Sequence, residues 1–165
     1  MTDDSSPSRR LQAKVLTVSD SVDAGQREDV TGAALVDLLG DAGYDVIEHR
    51  VVADTVEEVS NALSYMAYGF NGLIVTTGGT GFAPRDITPE ATTRILDRPA
   101  PGLAEAMRAV NPLGRLSRNT AGIRGSALIV NTPGSTSGAC EMLGAVIDVL
   151  PHALDLLSGA VSRHD

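Results

Sequence analysis

The segment Gly72-Leu73-Ile74-Val75-Thr76-Thr77 is apolar and β-branched and shows no polar alternation. A strand with one solvated face alternates, whereas a strand covered on both faces does not. This run therefore predicts an interior strand with helices above and below it. Ala13-Lys14-Val15-Leu16-Thr17-Val18, Tyr44 to Val52 and Ser126 to Asn131 predict further strands. Helical patterns lie between them. Thr31 to Ala42 places Leu35, Leu38, Leu39 and Ala42 at helical spacing, with Gly43 as the stop. From Asp54 onward, Val56, Val59, Leu63 and Met66 line one face. Thr88-Pro89-Glu90 opens another helix, with Thr88 as N-cap and Pro89 in the first position. Pro101 to Val110 reads as a helix, and Asn111 to Arg124 as irregular with room for a short hairpin. A last helix is expected from about Ala139 to Leu157, kinked at Pro151.

Strands alternating with helix-bearing connections predict an α/β fold with a mostly parallel sheet and helices on both faces. The 165 residues suit one domain, expected over 12–165 behind a disordered tail at 1–11. In such sheets ligands bind beyond the carboxyl ends of the strands.

Charge and composition exclude several classes. With 13 basic and 21 acidic residues, the chain has a formal charge of -8 and no basic cluster longer than Arg9-Arg10. Nucleic acid and anionic membrane surfaces are thus poor partners. No apolar run approaches the roughly 20 residues of a membrane helix, and Met1 to Arg10 has no secretory apolar region. Cys140 is the only cysteine, so a disulfide framework is out and a reducing cytoplasm fits. His49, His152 and His164 have no metal-ligand spacing, which argues against zinc.

The chemistry concentrates after the third strand. Thr77-Gly78-Gly79-Thr80-Gly81 is followed by Pro84-Arg85-Asp86. Its glycines permit positive φ and close ligand approach, and successive N–H groups can form an anion nest. A plain strand-to-helix turn is the competing reading. The loop lacks the Gly-Lys-Ser/Thr of a Walker loop, and Pro84 stands where a dinucleotide fingerprint needs a third Gly or Ala. Arg85 adds a fork suited to phosphate. Asp54 follows the second strand and Asp86 the glycine loop; with both strands central and parallel, the two acids face one crevice as candidates for a Mg²⁺ site. Asp54-Thr55-Val56-Glu57 also fits a capping box, which would make Asp54 a helix cap. Ser19 and Asp20 end the first strand, and Ser117-Arg118 lies in the irregular stretch. Pro133-Gly134-Ser135 reads either as a second anion-binding turn or as the start of the last helix.

Taken in order, these motifs resemble the MoaB/Mog family of molybdenum cofactor biosynthesis proteins. The resemblance rests on the glycine loop, on Pro84-Arg85-Asp86-Ile87-Thr88-Pro89-Glu90 and on Pro101-Gly102-Leu103-Ala104-Glu105-Ala106-Met107-Arg108. Leu116-Ser117-Arg118, Ala121-Gly122-Ile123-Arg124-Gly125, Asn131-Thr132-Pro133-Gly134-Ser135, Val18-Ser19-Asp20 and Val52-Ala53-Asp54 also match. It spans about residues 13–158.

The resemblance implies a three-layer α/β/α homotrimer that adenylylates molybdopterin with Mg-ATP and releases pyrophosphate. It further implies Asp54, Asp86 and Ser117 as catalytic residues and Gly78 to Gly81 as the ligand loop. On that reading Asp54 and Asp86 hold Mg²⁺, the Gly79 to Gly81 amides cradle phosphate, and Ser117 and Arg118 contact the pterin's phosphate. The stretch between Arg108 and Leu116 is shorter than the common pattern, and Thr136 stands where a proline is usual. These departures lean toward the MoaB branch. The alternative is a non-catalytic trimer that holds molybdopterin or a nucleotide for another molybdenum cofactor enzyme.

Overall fold

The computed structural model describes residues 10–159. Strand β1 (Leu11–Val18) leads through a short helix α1 (Asp20–Asp23) and α2 (Val30–Asp41) to β2 (Tyr44–Val52). Helix α3 (Val56–Ala67) then precedes β3 (Leu73–Thr77), and α4 (Thr88–Ile95) follows the glycine loop. Next come β4 (Arg98–Pro99), α5 (Pro101–Ala109), a 3₁₀ turn at Pro112–Leu116, β5 (Ala121–Arg124) and β6 (Ala127–Thr132). Helices α6 (Thr136–Gly144) and α7 (Leu150–Leu157) close the chain's described part.

The six strands form one sheet in the order β2-β1-β3-β6-β5-β4. The first four run parallel, in register Ala13↔Leu73↔Leu128 across the middle. A hairpin joins β5 to β6, and β4 pairs antiparallel to β5. All five residues of β3 are buried, as its unbroken apolar run predicts. Strand periodicity sends alternate side chains into different cores. Ala13, Val15, Leu73, Val75, Leu128 and Val130 pack with α2, α5, α6 and α7 on one face. Leu16, Val18, Ile74, Ala127 and Ile129 pack with α3 and α4 on the other. The α/β/α layering is thus the expected one. Lys14 sits among these strands with its ammonium donating to Met66 O at 2.9 Å and lying 4.2 Å from the Phe70 ring centre.

Local differences from the sequence reading have clear causes. The expected long C-terminal helix is two helices, α6 and α7, and Pro151 lies in the first turn of the second rather than kinking one. In a first helical turn the missing proline N–H has no intrahelical partner to lose. The sequence spacing turns Leu143, Val146, Ile147, Leu150, Leu154 and Leu157 inward; four of them are buried, and Ile147 and Leu157 are partly buried against the same core, so the apolar spacing runs on across the break. The irregular stretch contains a 3₁₀ turn, and its hairpin lies at β5–β6. Of the expected tail, residues 1–9 lie outside the described residues, while Leu11 already opens β1.

Candidate active site

The strand order reverses between β1 and β3, whose neighbours β2 and β6 lie on opposite sides. Ligand crevices form beyond the carboxyl ends at such a point. The parallel ladder runs one residue past the strands here. Ser19 N–H donates to Val52 O at 3.0 Å, and Gly78 N–H to Thr132 O at 3.1 Å.

The glycine loop leaves β3 at Gly78 and Gly79, with φ of 99° and 68°. A Cβ on Gly78 would stand 2.3 Å from Val18 O, and one on Gly79 would stand 2.4 Å from Thr88 Oγ1. Both positions require glycine for conformation and for space. The loop's carbonyls all turn toward the protein. Thr88 Oγ1 donates to Gly78 O at 2.9 Å and Thr88 N–H to Gly79 O at 3.0 Å. Arg118 donates its N–H to Thr80 O at 2.8 Å and its Nε to Gly81 O at 2.7 Å. In a trans peptide the N–H points opposite to the C=O. Inward carbonyls at 78–80 therefore turn the amides of Gly79, Thr80 and Gly81 away from those donors, as an anion nest needs. Thr88 serves this loop instead of capping α4, whose N-cap residue is Ile87.

Asp54 is not the helix cap. Thr55 caps α3 through Glu58 N–H at 3.2 Å, and Glu58 reaches back to Ala53 N–H at 3.1 Å. The cap thus sits one residue later than the spacing first suggests, and Glu58 closes on Ala53 rather than on the cap's own N–H. Asp54 exchanges hydrogen bonds with Asp20 instead. Its N–H donates to Asp20 Oδ1 at 2.8 Å, and its Oδ2 accepts from Asp20 N–H at 3.3 Å. Burial and then the charge of Asp86 push the Asp54 carboxyl above the usual range. Asp86 Oδ2 accepts from Ala83 N–H at 2.9 Å. Arg85 pairs with the remaining oxygen of Asp20.

These residues border two cavities. The larger, about 430 Å³, is lined by Gly79, Thr80, Gly81, Asp86, Ser117, Pro133, Gly134 and Ser135. Asn111, Leu113, Gly114, Leu116, Ser137, Gly138, Glu141 and Met142 complete it, and no Lys, Arg or His lines it. The smaller, about 230 Å³, is lined by Ser19, Asp54, Gly78, Gly79, Asp86 and Gly134, with Thr17 from β1, Arg27 and Asp29 from the connection to α2, and Thr31 from α2 itself. Gly79, Asp86 and Gly134 belong to both. Asp20, Arg85 and Arg118 line neither cavity; Asp20 hydrogen-bonds to Asp54, which lines the smaller one, and Arg85 pairs with Asp20. Ser135 is the N-cap residue of α6, so Pro133-Gly134-Ser135 both starts that helix and borders the larger cavity.

Asp29 was missed in the sequence. It caps α2 through Gly32 N–H at 2.9 Å, and its other oxygen accepts from Thr17 Oγ1 at 2.6 Å beside His49 Nε2 at 2.9 Å. An acidic residue just before a helical apolar pattern was the available signal. Glu141 carried no comparable signal on the last helix.

Similar proteins agree with the motifs. A family model described as "Probable molybdopterin binding domain" matches residues 14–152. The Molybdopterin adenylyltransferase of Helicobacter pylori J99 is 39% identical over 152 residues, covering 88% of this chain and 86% of the relative. The protein of the same name from Escherichia coli K12 is 32% identical, with 90% and 86% covered. The crystal structure of the Molybdopterin biosynthesis enzyme MoaB from Thermus thermophilus superposes with a TM-score of 0.85 at 46% identity. That superposition covers 90% of this chain and 97% of the other. With the family match spanning most of the chain and these relatives matched nearly end to end, the chain belongs to the MoaB/Mog family of molybdopterin-binding, molybdenum cofactor biosynthesis proteins.

Proposed function

We propose that this protein is a molybdopterin adenylyltransferase. A phosphate oxygen of molybdopterin attacks the α-phosphorus of ATP. A new P–O bond forms, the bond to the bridging oxygen breaks, and pyrophosphate leaves. The observation that carries the reading is the pair of cavities meeting at Gly79, Asp86 and Gly134. Two ligands seated there have their reacting ends at one carboxylate and one amide-rich loop, which is the positioning such a transfer needs. The larger, partly apolar cavity suits the pterin, and the smaller, acidic one the triphosphate with its metal.

Two polyanions cannot meet beside Asp54 and Asp86 without a cation. The raised Asp54 carboxyl reflects the same electrostatics, since burial and Asp86 both oppose its charge. Mg²⁺ commonly binds through one or two carboxylates plus phosphates and water. Asp54 and Asp86 fit that demand, although among the described residues no group of three or more His, Cys, Asp or Glu converges on one point. Mg²⁺ there would offset the phosphate charge. The Gly79 to Gly81 amides would hold the phosphate that gains charge in transfer. Ser117 would donate its hydroxyl to the pterin's phosphate, while the α6 N-terminus at Ser135 favours the same anion. Homotrimeric assembly, a cytoplasmic setting and hand-over of the product to another molybdenum cofactor enzyme belong to the same proposal. Among the described residues no helix is long and apolar enough to cross a membrane.

The test is pyrophosphate release from molybdopterin and Mg-ATP, run beside Asp86→Ala. Release by the wild type, with a loss on the order of a thousandfold in a folded Asp86→Ala, is the expected result. Molybdopterin binding without release would make the protein a carrier of the ligand.

A further inference from the structure

Arg118 makes more hydrogen bonds to the glycine-loop region than any side chain lining the cavities, yet it borders neither of them. Its Nε donates to Gly81 O at 2.7 Å and its Nη2 to Asp86 O at 2.7 Å. Its Nη1 meets the Glu90 carboxylate on α4, and its own N–H donates to Thr80 O at 2.8 Å. The guanidinium is planar with donors in fixed directions, so it sets the separation of two carbonyls rather than merely attracting them. Those carbonyls bracket residues 81–86, the segment that ends in Asp86. Within it, Ala83 N–H donates to Asp86 Oδ2 and Asp86 N–H to Ala83 O, both at 2.9 Å. One side chain thus holds both ends of the turn that carries the Asp86 carboxylate, and the Arg85–Asp20 pair is the turn's other tie to the protein.

We propose that Arg118, backed by Glu90, is a positioning residue that sets where the loop amides and the Asp86 carboxylate stand without touching substrate. Glu90 gives the guanidinium an anion at Nη1, and its second oxygen lies 3.5 Å from the Nη2 that donates to Asp86 O. Its carboxyl lies below the usual range, first because of the hydrogen bond from Arg118, so the pair is charged at neutral pH. A guanidinium with these partners has its fork engaged, unlike one reserved for a phosphate. This departs from the role that family resemblance implies for Arg118. The turnover part of the argument rests on the adenylyltransferase reading; the loop geometry does not.

Arg118→Lys keeps the charge and removes the fork, and Glu90→Gln keeps an acceptor and removes the anion. In Arg118→Lys, kcat for pyrophosphate release is expected to fall about 10- to 100-fold. KM for molybdopterin and for Mg-ATP should stay within about threefold. Hydrogen exchange at the Ala83 and Asp86 amides should quicken about tenfold while β1 and β3 amides hold. Glu90→Gln should move kcat and exchange in the same direction by less, and it carries the test should Arg118→Lys fail to fold. A tenfold or larger rise in KM for molybdopterin at unchanged kcat would make Arg118 a phosphate ligand and overturn the proposal. Unchanged exchange at Ala83 and Asp86 would also overturn it. If the wild type releases no pyrophosphate, the adenylyltransferase reading fails, and the exchange comparison still decides whether Arg118 positions the loop.

Discussion

The larger cavity, about 430 Å³, is walled by Leu113, Leu116 and Met142 and has no cation in its lining. The smaller, about 230 Å³, gathers Asp29 and Asp54 with Arg27, and α2 begins in its wall. The contrast follows from their places in the fold. The smaller lies over the carboxyl ends of β1 and β3, where loops deliver polar residues and backbone groups. The larger lies over the 3₁₀ turn and α6, where Leu113 and Leu116 are exposed and Met142 is buried. Asp86 and the amides beside Gly79 are common ground. Chemistry is therefore expected at the shared wall, and selectivity on either side of it.

Substitutions confined to one cavity test that division. The largest effect belongs to Asp54→Asn, which alters only the smaller cavity. Turnover should fall about 100-fold, while direct binding of molybdopterin in calorimetry stays unchanged. The same change should raise stability at neutral pH. A carboxyl raised in the folded state contributes fully below its unfolded value, and that contribution is lost as pH rises through the folded value. Wild type and Asp54→Asn should therefore melt alike in acid and separate toward neutral pH, with the variant higher. An equal or lower neutral Tm would break the electrostatic picture of that cavity.

Gly78→Ala comes next. Its positive φ and a Cβ 2.3 Å from Val18 O strain the loop against β1. A loss on the order of 2 kcal/mol in denaturant unfolding is expected, and a shift under half of that would mean the loop is less tightly set than its geometry requires. The smallest effect is assigned to Leu113→Ala on the larger cavity's exposed rim. It should raise KM for molybdopterin about fivefold, the equivalent of about 1 kcal/mol of apolar contact, and leave KM for Mg-ATP alone. A change in the ATP constant instead would exchange the two ligand assignments.

The layers and the loop were legible in the chain because their signals are local. Strand β3 announces burial on both faces, and Gly78-Gly79 announces a turn that bulkier residues cannot make. Asp54 was ambiguous for an equally local reason. Both Asp54-Thr55-Val56-Glu57 and Thr55-Val56-Glu57-Glu58 satisfy a capping pattern, and only the second forms. Asp20, 34 positions away, resolves the choice by pairing with Asp54. The break between α6 and α7 was hidden because the apolar spacing continues across it.

By itself the sequence determined which strands lie inside, where they end, and that a glycine loop and two aspartates follow those ends. These depend on side-chain periodicity and on φ, which each residue carries with it. The tertiary structure decided the partners. Arg118 reaches Gly81 and Asp86 across 37 and 32 positions, and Thr88 turns from capping a helix to holding Gly78 O. Such choices depend on which segments the sheet order places side by side, and no local pattern of residues encodes that neighbourhood.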